Sequence, residues 1–194
     1  FSSQTLPITE EREGRVNLVG HYQENRDEAF CRACQERCCG VPRGVLFDLT
    51  IHDVDIIRNL SNSVPISVYA SGGKLINRDN EDFVNVLLNF ENGITGLCQT
   101  NWLTPFRTRD LSITTKNTYI KADYLSKKVQ VINSQEEFYL EVKDHESLKL
   151  ELVNFLDSVQ NNKEPEVSGK EGLLAVEIVE AAIKSMKEDK LILL

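Results

Sequence analysis

The sequence predicts an α+β domain: a large, mostly antiparallel open β-sheet with helices covering one face. Three observations predict it. Apolar and polar residues alternate in short runs between Pro65 and Lys143, an Asn-Gly pair separates two of those runs, and amphipathic helical patterns bracket the block.

From Gly44, GVLFDLTIHDVDIIRNL gathers Leu49, Val54, Ile56, Ile57 and Leu60 on the apolar side of a helix running from about Asp48 to about Leu60. PISVYASGGKLI and DFVNVLLNFENGITGLCQTNWL follow. In the second, Val84, Val86, Leu88 and Phe90 alternate with Phe83, Asn85, Leu87 and Asn89, the two-residue period of a strand. Asn92-Gly93 offers the positive φ angles of a tight turn and so predicts an antiparallel hairpin. RDLSITT, TYIKADYL, KVQVIN and FYLEVK are short, β-branched or aromatic, and separated by turn-prone Lys116-Asn117, Ser126-Lys127 and Asn133-Ser134. They make a meander of about five to seven strands. Two amphipathic helices close the chain, near Glu146 to Gln160 and from about Lys170 to Lys187, with Pro165 stiffening the link. Ser168 and Glu171 have the spacing of a capping box for the second. Apolar residues occur at both parities in the strands, so the sheet face away from the helices also needs a partner, and pairing with a second copy is the natural solution.

With 194 residues the chain can bury a core without disulfides. A net charge of −8, from 22 basic and 30 acidic residues, disfavours a nucleic-acid partner. No apolar run approaches the roughly 20 residues of a membrane span, and no signal sequence is legible, which predicts a cytoplasmic protein with reduced cysteines. Composition shifts near residue 43. Residues 1–43 hold six Arg, four Cys and no Lys, whereas 44–194 hold four Arg, one Cys and twelve Lys. We therefore divide the chain into a divergent N-terminal segment, 1–43, and a main domain, 44–194. In the first segment EREGRVNLVGH reads as a helix end, a stop at Gly14 and a buried strand Val16 to Val19, like the tail of an α/β unit.

Asp48 and His52 are four residues apart, which on an α-helix places carboxylate and imidazole on one face with roughly 5 to 6 Å between Cβ atoms. Asp55 continues the stripe. A carboxylate orients an imidazole and raises its basicity, giving a proton acceptor that works near neutral pH. Taken alone, the spacing favours a helix-start Asp with a surface His partner. Trp102 could stack on a sugar or base ring, and Arg107 or Arg109 could grip a diphosphate, against the simpler readings of sheet core and solvated strand edge.

The run from Gly44 to Asp55 resembles the G-x-x-x-D-x-x-x-H-x-x-D motif in the second domain of Gfo/Idh/MocA-type oxidoreductases. The hairpin, NWLTPFRTRDLSI, TYIKADYL and the closing LKLELVNFLDSV…KEPEVSGKEGLLAVEIVEAA follow in the family's order. The resemblance is nearest to the branch oxidising sugar nucleotides, such as UDP-N-acetylglucosamine 3-dehydrogenase, with myo-inositol dehydrogenases next. It implies Asp48 and His52 as catalytic residues over a nicotinamide, His52 serving as acid/base for a substrate hydroxyl, and 44–194 as the substrate-binding and oligomerisation domain. It also implies NAD or NADP as cofactor and a sugar or sugar-nucleotide substrate.

The family's reaction further needs a G-x-G-x-x-G turn and a catalytic Lys in an E-K-P motif, and this sequence contains neither. The expectation is an N-terminally truncated member that by itself neither binds NAD tightly nor turns over. A non-catalytic interaction or dimerisation module is the alternative. A third reading makes Cys31, Cys34 and Cys38 a metal site, with Cys39 or His21 as the fourth ligand. Their spacing lacks the paired knuckles of a zinc ribbon, so no metal is expected.

Overall fold

In the computed structural model, which describes residues 16–24, 44–76, 79–142 and 146–194, alternation of buried and exposed positions builds one sheet. Its strands are β1 (Asn17–Gln23), β2 (Pro65–Gly73), β3 (Phe83–Phe90), β4 (Thr95–Asn101), β5 (Thr108–Thr114), β6 (Thr118–Asp123), β7 (Lys128–Asn133), β8 (Glu137–Leu140) and β9 (Ile192–Leu193). They lie in the order β8-β7-β6-β5-β1-β4-β3-β2-β9. Only β1 and β4 run parallel; every other neighbouring pair is antiparallel. The helices are α1 (Ile51–Ser61), entered through a π-helical turn at Leu46–Thr50, α2 (Ser147–Asn161) and α3 (Gly169–Glu188).

The pairing register puts Leu18, Val86, Leu88, Cys98, Leu111 and Ile113 on one face, all buried beneath the helices. Val54 and Ile57 of α1 and Ile178 and Val179 of α3 complete this core. At about 25 cal/mol per Å² of apolar surface, each such side chain contributes on the order of 2 kcal/mol. The opposite face carries Val19, Leu87, Leu97 and Tyr69 among polar neighbours.

One boundary differs from the sequence reading. Val16 to Val19 read as the end of an α/β unit, with the sheet domain beginning at Gly44. Instead β1 lies inside the sheet, bonded to β5 on one edge and β4 on the other. Alternating burial marked it as a strand, but only its two partners, more than seventy residues downstream, decide which sheet it joins. The rest of the 1–43 segment, with Cys31, Cys34, Cys38 and Cys39, lies outside the described residues.

The β3–β4 hairpin forms as expected, with the positive φ of 82° carried by Gly93 alone. The Phe90 N–H donates to the Ile94 carbonyl at 3.0 Å, and the Gly93 N–H donates to the Phe90 carbonyl at 3.0 Å. This is a three-residue loop ending in a left-handed glycine rather than a two-residue turn.

The two closing helices fall where their periodicity places them, and the Ser168–Glu171 capping box is formed. Their environments differ. Helix α3 packs on β2 and α1, whereas α2 leaves Leu148, Leu152, Phe155, Leu156 and Val159 exposed, so only one of the two expected covering helices covers the sheet.

Candidate functional site

The site is built at the entry to α1. The Val45 N–H donates to the Glu81 carbonyl at 3.1 Å and the Leu46 N–H to Glu81 Oε1 at 3.1 Å, so a carboxylate sits on the free donors of the first turn. A Cβ at Gly44 would lie 1.9 Å from Glu81 Oε1, so a side chain there would displace this carboxylate. Thr50, fully buried, donates to the Val45 carbonyl five residues back at 3.3 Å and lies 2.5 Å from Thr100 Oγ1 on β4. This anchor accompanies the wider π turn, in which the Ile51 N–H reaches Leu46. Asp48 therefore sits in the widened turn and His52 in the regular helix, a departure from the simple one-face α-helical geometry.

Asp48 is half-buried, and its Oδ2 accepts from Trp102 Nε1 at 3.1 Å. His52 is exposed one turn on. Trp102 itself is only 5 % exposed, so its ring is not offered as a stacking platform for substrate. A buried indole must place its N–H on an acceptor, and here the acceptor is the Asp48 carboxylate. The indole N–H is thus met inside the fold by an acid.

Arg107 and Arg109 also part company. Arg107 is exposed, and its Nη2 donates to Tyr22 Oη at 3.1 Å. Arg109 is clasped between two rings, with Cζ 4.7 Å from the Tyr22 centroid and 5.2 Å from that of Tyr124, and its Nε is buried without a hydrogen-bond partner. Thr104 Oγ1, close by in the β4–β5 turn, lies 2.8 Å from Asn101 Oδ1 and 3.0 Å from Gln23 Oε1, its one proton serving either acceptor. Trp102, Thr104, Arg107, Arg109 and Tyr22 thus gather where β1 and β4 end and β5 begins.

Sequence reasoning missed Asp53. It is 6 % exposed, packs over Gly20 of β1, and leaves Oδ2 with no partner. Burial pushes its carboxyl up to about 7, against the opposing pull of Arg109 and His21. A signal was present: Asp53 stands midway between Leu49 and Ile57 at helical spacing, a position reserved for apolar residues.

On the open face, four strands contribute a polar row. Asp110 Oδ1 lies 2.9 Å from His21 Nδ1, His21 Nε2 lies 2.7 Å from Gln99 Oε1, and Gln99 Nε2 donates to Asn85 Oδ1 at 3.2 Å. Among the described residues no group of three or more His, Cys, Asp or Glu side chains is placed to hold a metal, and no helix is long and apolar enough to cross a membrane.

The glycine pair at the end of a strand does not form a dinucleotide-binding turn. The Gly72-Gly73 pair ends β2 and leads through residues 74–82 into β3, not into a helix whose N-terminus could meet a pyrophosphate.

Comparison with known proteins agrees with the architecture. The chain is 26% identical over 164 residues to myo-inositol 2-dehydrogenase from Thermotoga maritima, a match covering 77% of this chain and 49% of that protein. UDP-N-acetylglucosamine 3-dehydrogenase GnnA from Acidithiobacillus ferrooxidans superposes with a TM-score of 0.76 at 17% identity, over 89% of this chain and 53% of that one. The WlbA dehydrogenase from Bordetella pertussis, in complex with NADH and UDP-GlcNAcA, gives 0.78 at 21% identity, over 97% and 58%. The chain spans about half the length of the curated relatives it matches. The family model for the GFO/IDH/MocA C-terminal domain matches residues 14–120, running through the Arg- and Cys-rich segment and more than half of the sequence, so the chain belongs to the Gfo/Idh/MocA family through that domain.

Proposed function

We propose that this chain is the substrate-binding and oligomerisation part of an NAD(P)-dependent oxidoreductase acting on a hydroxyl of a sugar or sugar nucleotide. The observation that carries the reading is the Asp48 carboxylate held by the Trp102 indole one turn before an exposed His52. In this arrangement Asp48 orients and polarises the imidazole, and His52 accepts the proton of the substrate hydroxyl. Trp102 positions Asp48. Arg107 and Arg109, near the same strand ends, supply cationic donors for an anionic part of the substrate. The relatives include a myo-inositol dehydrogenase and two dehydrogenases whose names or ligands are sugar nucleotides, which supports this substrate class. A nicotinamide, where bound, would supply the hydride chemistry.

Saturation-transfer NMR on the chain with UDP-N-acetylglucosamine, UDP and myo-inositol tests the assignment. The nucleotide sugar is expected to receive saturation and the His52→Gln variant to lose contact at the sugar protons. No binding of any of the three at millimolar concentration sinks the reading. Calorimetry with NADH is expected to show no micromolar binding to the isolated chain.

The open sheet face, with Leu87 38 % exposed beside Val19 and Leu97, supports self-association through that surface. Sedimentation equilibrium tests it, and a monomer at high concentration counts against it. It also keeps the alternative in play: binding neither sugar nor nucleotide while still dimerising is the outcome that favours an interaction module.

A further inference from the structure

We propose that Asp53, held over Gly20 beneath α1, is the positioning residue of an anion subsite at Arg109, where it sets the charge of the site by gaining or losing one proton. The inference rests on the reading of the β4–β5 region as substrate-facing and deepens it. It starts from two unmet demands. Arg109 Nε, a donor, and Asp53 Oδ2, an acceptor, are both buried and both without a hydrogen-bond partner. Such groups cost free energy until something meets them.

Arg109 is preorganised for an anion. Its Cζ lies 4.7 Å from the Tyr22 centroid and 5.2 Å from that of Tyr124, so two rings restrain the guanidinium. No ion pair involving Arg109 is formed among the described residues. Fixed coplanar donors match two oxygens of a carboxylate or phosphate and bind a lone hydroxyl less well.

Asp53 decides whether that charge is available. Protonated, it leaves Arg109 a net cation; ionised, it is an internal counter-charge that competes with the ligand. The groups that act on Asp53 from the packed elements are Arg109 and Asp110 of β5, His21 of β1, Cys98 of β4 and Tyr124 after β6. His21 and Asp110 lie on the opposite sheet face by register, paired with each other, so they tune Asp53 without occupying the subsite. With its carboxyl pushed up to about 7, Asp53 changes from about nine-tenths neutral at pH 6 to about nine-tenths ionised at pH 8. The affinity of an anion that needs the neutral form should therefore fall about tenfold over that interval.

The test reads Arg109 directly. In the full chain labelled with nitrogen-15, the arginine Nε–Hε signal that disappears in Arg109→Lys is followed during titration with sulfate and, separately, with glucuronate. Neither probe titrates between pH 6 and 8; the first stands in for a phosphate and the second for a sugar carboxylate. The signal is expected to shift with at least one probe at pH 6, with about tenfold weaker affinity at pH 8. Asp53→Asn, which keeps the shape of the neutral acid, is expected to bind equally at both pH values. No shift with either probe at pH 6 overturns the subsite. A pH slope in Asp53→Asn equal to that of the parent overturns the role of Asp53 and assigns the slope to another group such as His21. An intact anion response in a chain that ignores sugar nucleotides would instead remove the substrate assignment and leave the subsite standing.

Discussion

Asp48 and Asp53 lie five residues apart on one continuous helical segment, yet the fold treats their carboxylates in opposite ways. Asp48 is half-buried and receives an indole N–H; Asp53 is buried, unpartnered at Oδ2 and pushed up to about 7. Burial alone makes an ionised carboxylate costly, and a donor brought from elsewhere in the chain offsets that cost. The first acid meets a donor from Trp102. The second is left with an unpartnered oxygen in a desolvated place.

The largest expected effect breaks this contrast at Asp53. The folded chain holds this proton up to about pH 7, whereas the unfolded chain releases it near the ordinary value of 3.8. Between those values the folded state binds more protons, so stability falls as pH rises, then levels above about 7. Asp53→Asn abolishes the fall. Its stability relative to the parent should grow by ~3 kcal/mol between pH 5 and pH 8 in urea unfolding. A constant difference would show that Asp53 ionises normally in the fold.

Next comes Trp102→Phe, which keeps an apolar ring and removes the donor to Asp48. A loss of about 2 kcal/mol is expected by the same measurement, because a hydrogen bond to a charged group disappears. Weaker contact at the sugar protons should accompany it. If stability falls and sugar contact is unchanged, Trp102 is packing only.

Thr50→Val replaces the hydroxyl that joins the π turn to Thr100 and leaves that partner buried with one contact fewer. About 1 kcal/mol of stability should be lost, and the backbone amide signals of residues 46–50 should move. The smallest effect on stability belongs to His52→Gln, within about 0.5 kcal/mol, since the side chain is exposed. That same variant is expected to lose sugar contact, so stability and binding separate most cleanly at His52.

Much of this was legible in the sequence. Period-two alternation located β3 to β7, helical periodicity and the Ser168–Glu171 pair located α2 and α3, and the Asp48–His52 spacing pointed to the entry of α1. What was not legible depended on distant partners. Trp102 read as either a stacking surface or sheet core, and the structure buries it against a residue 54 positions earlier. Helices α2 and α3 have similar amphipathic patterns, yet only α3 has β2 and α1 against its apolar face. Asp53 stood out only as an acid in an apolar row, and its meaning required β1 and β5 to come beneath it.

The sequence by itself determined which segments are strands and helices, where the hairpin turns, and that an acid and a histidine share one helical segment. These are consequences of nearest-neighbour geometry, which repeats every two or 3.6 residues whatever the rest of the chain does. Only the tertiary structure decided that β1 belongs inside the sheet, that Trp102 serves Asp48, and that Arg109 and Asp53 are left with unmet hydrogen bonds. Those outcomes depend on which residues from distant stretches share a desolvated space, because the free energy of a buried polar group is fixed by the partner it meets there.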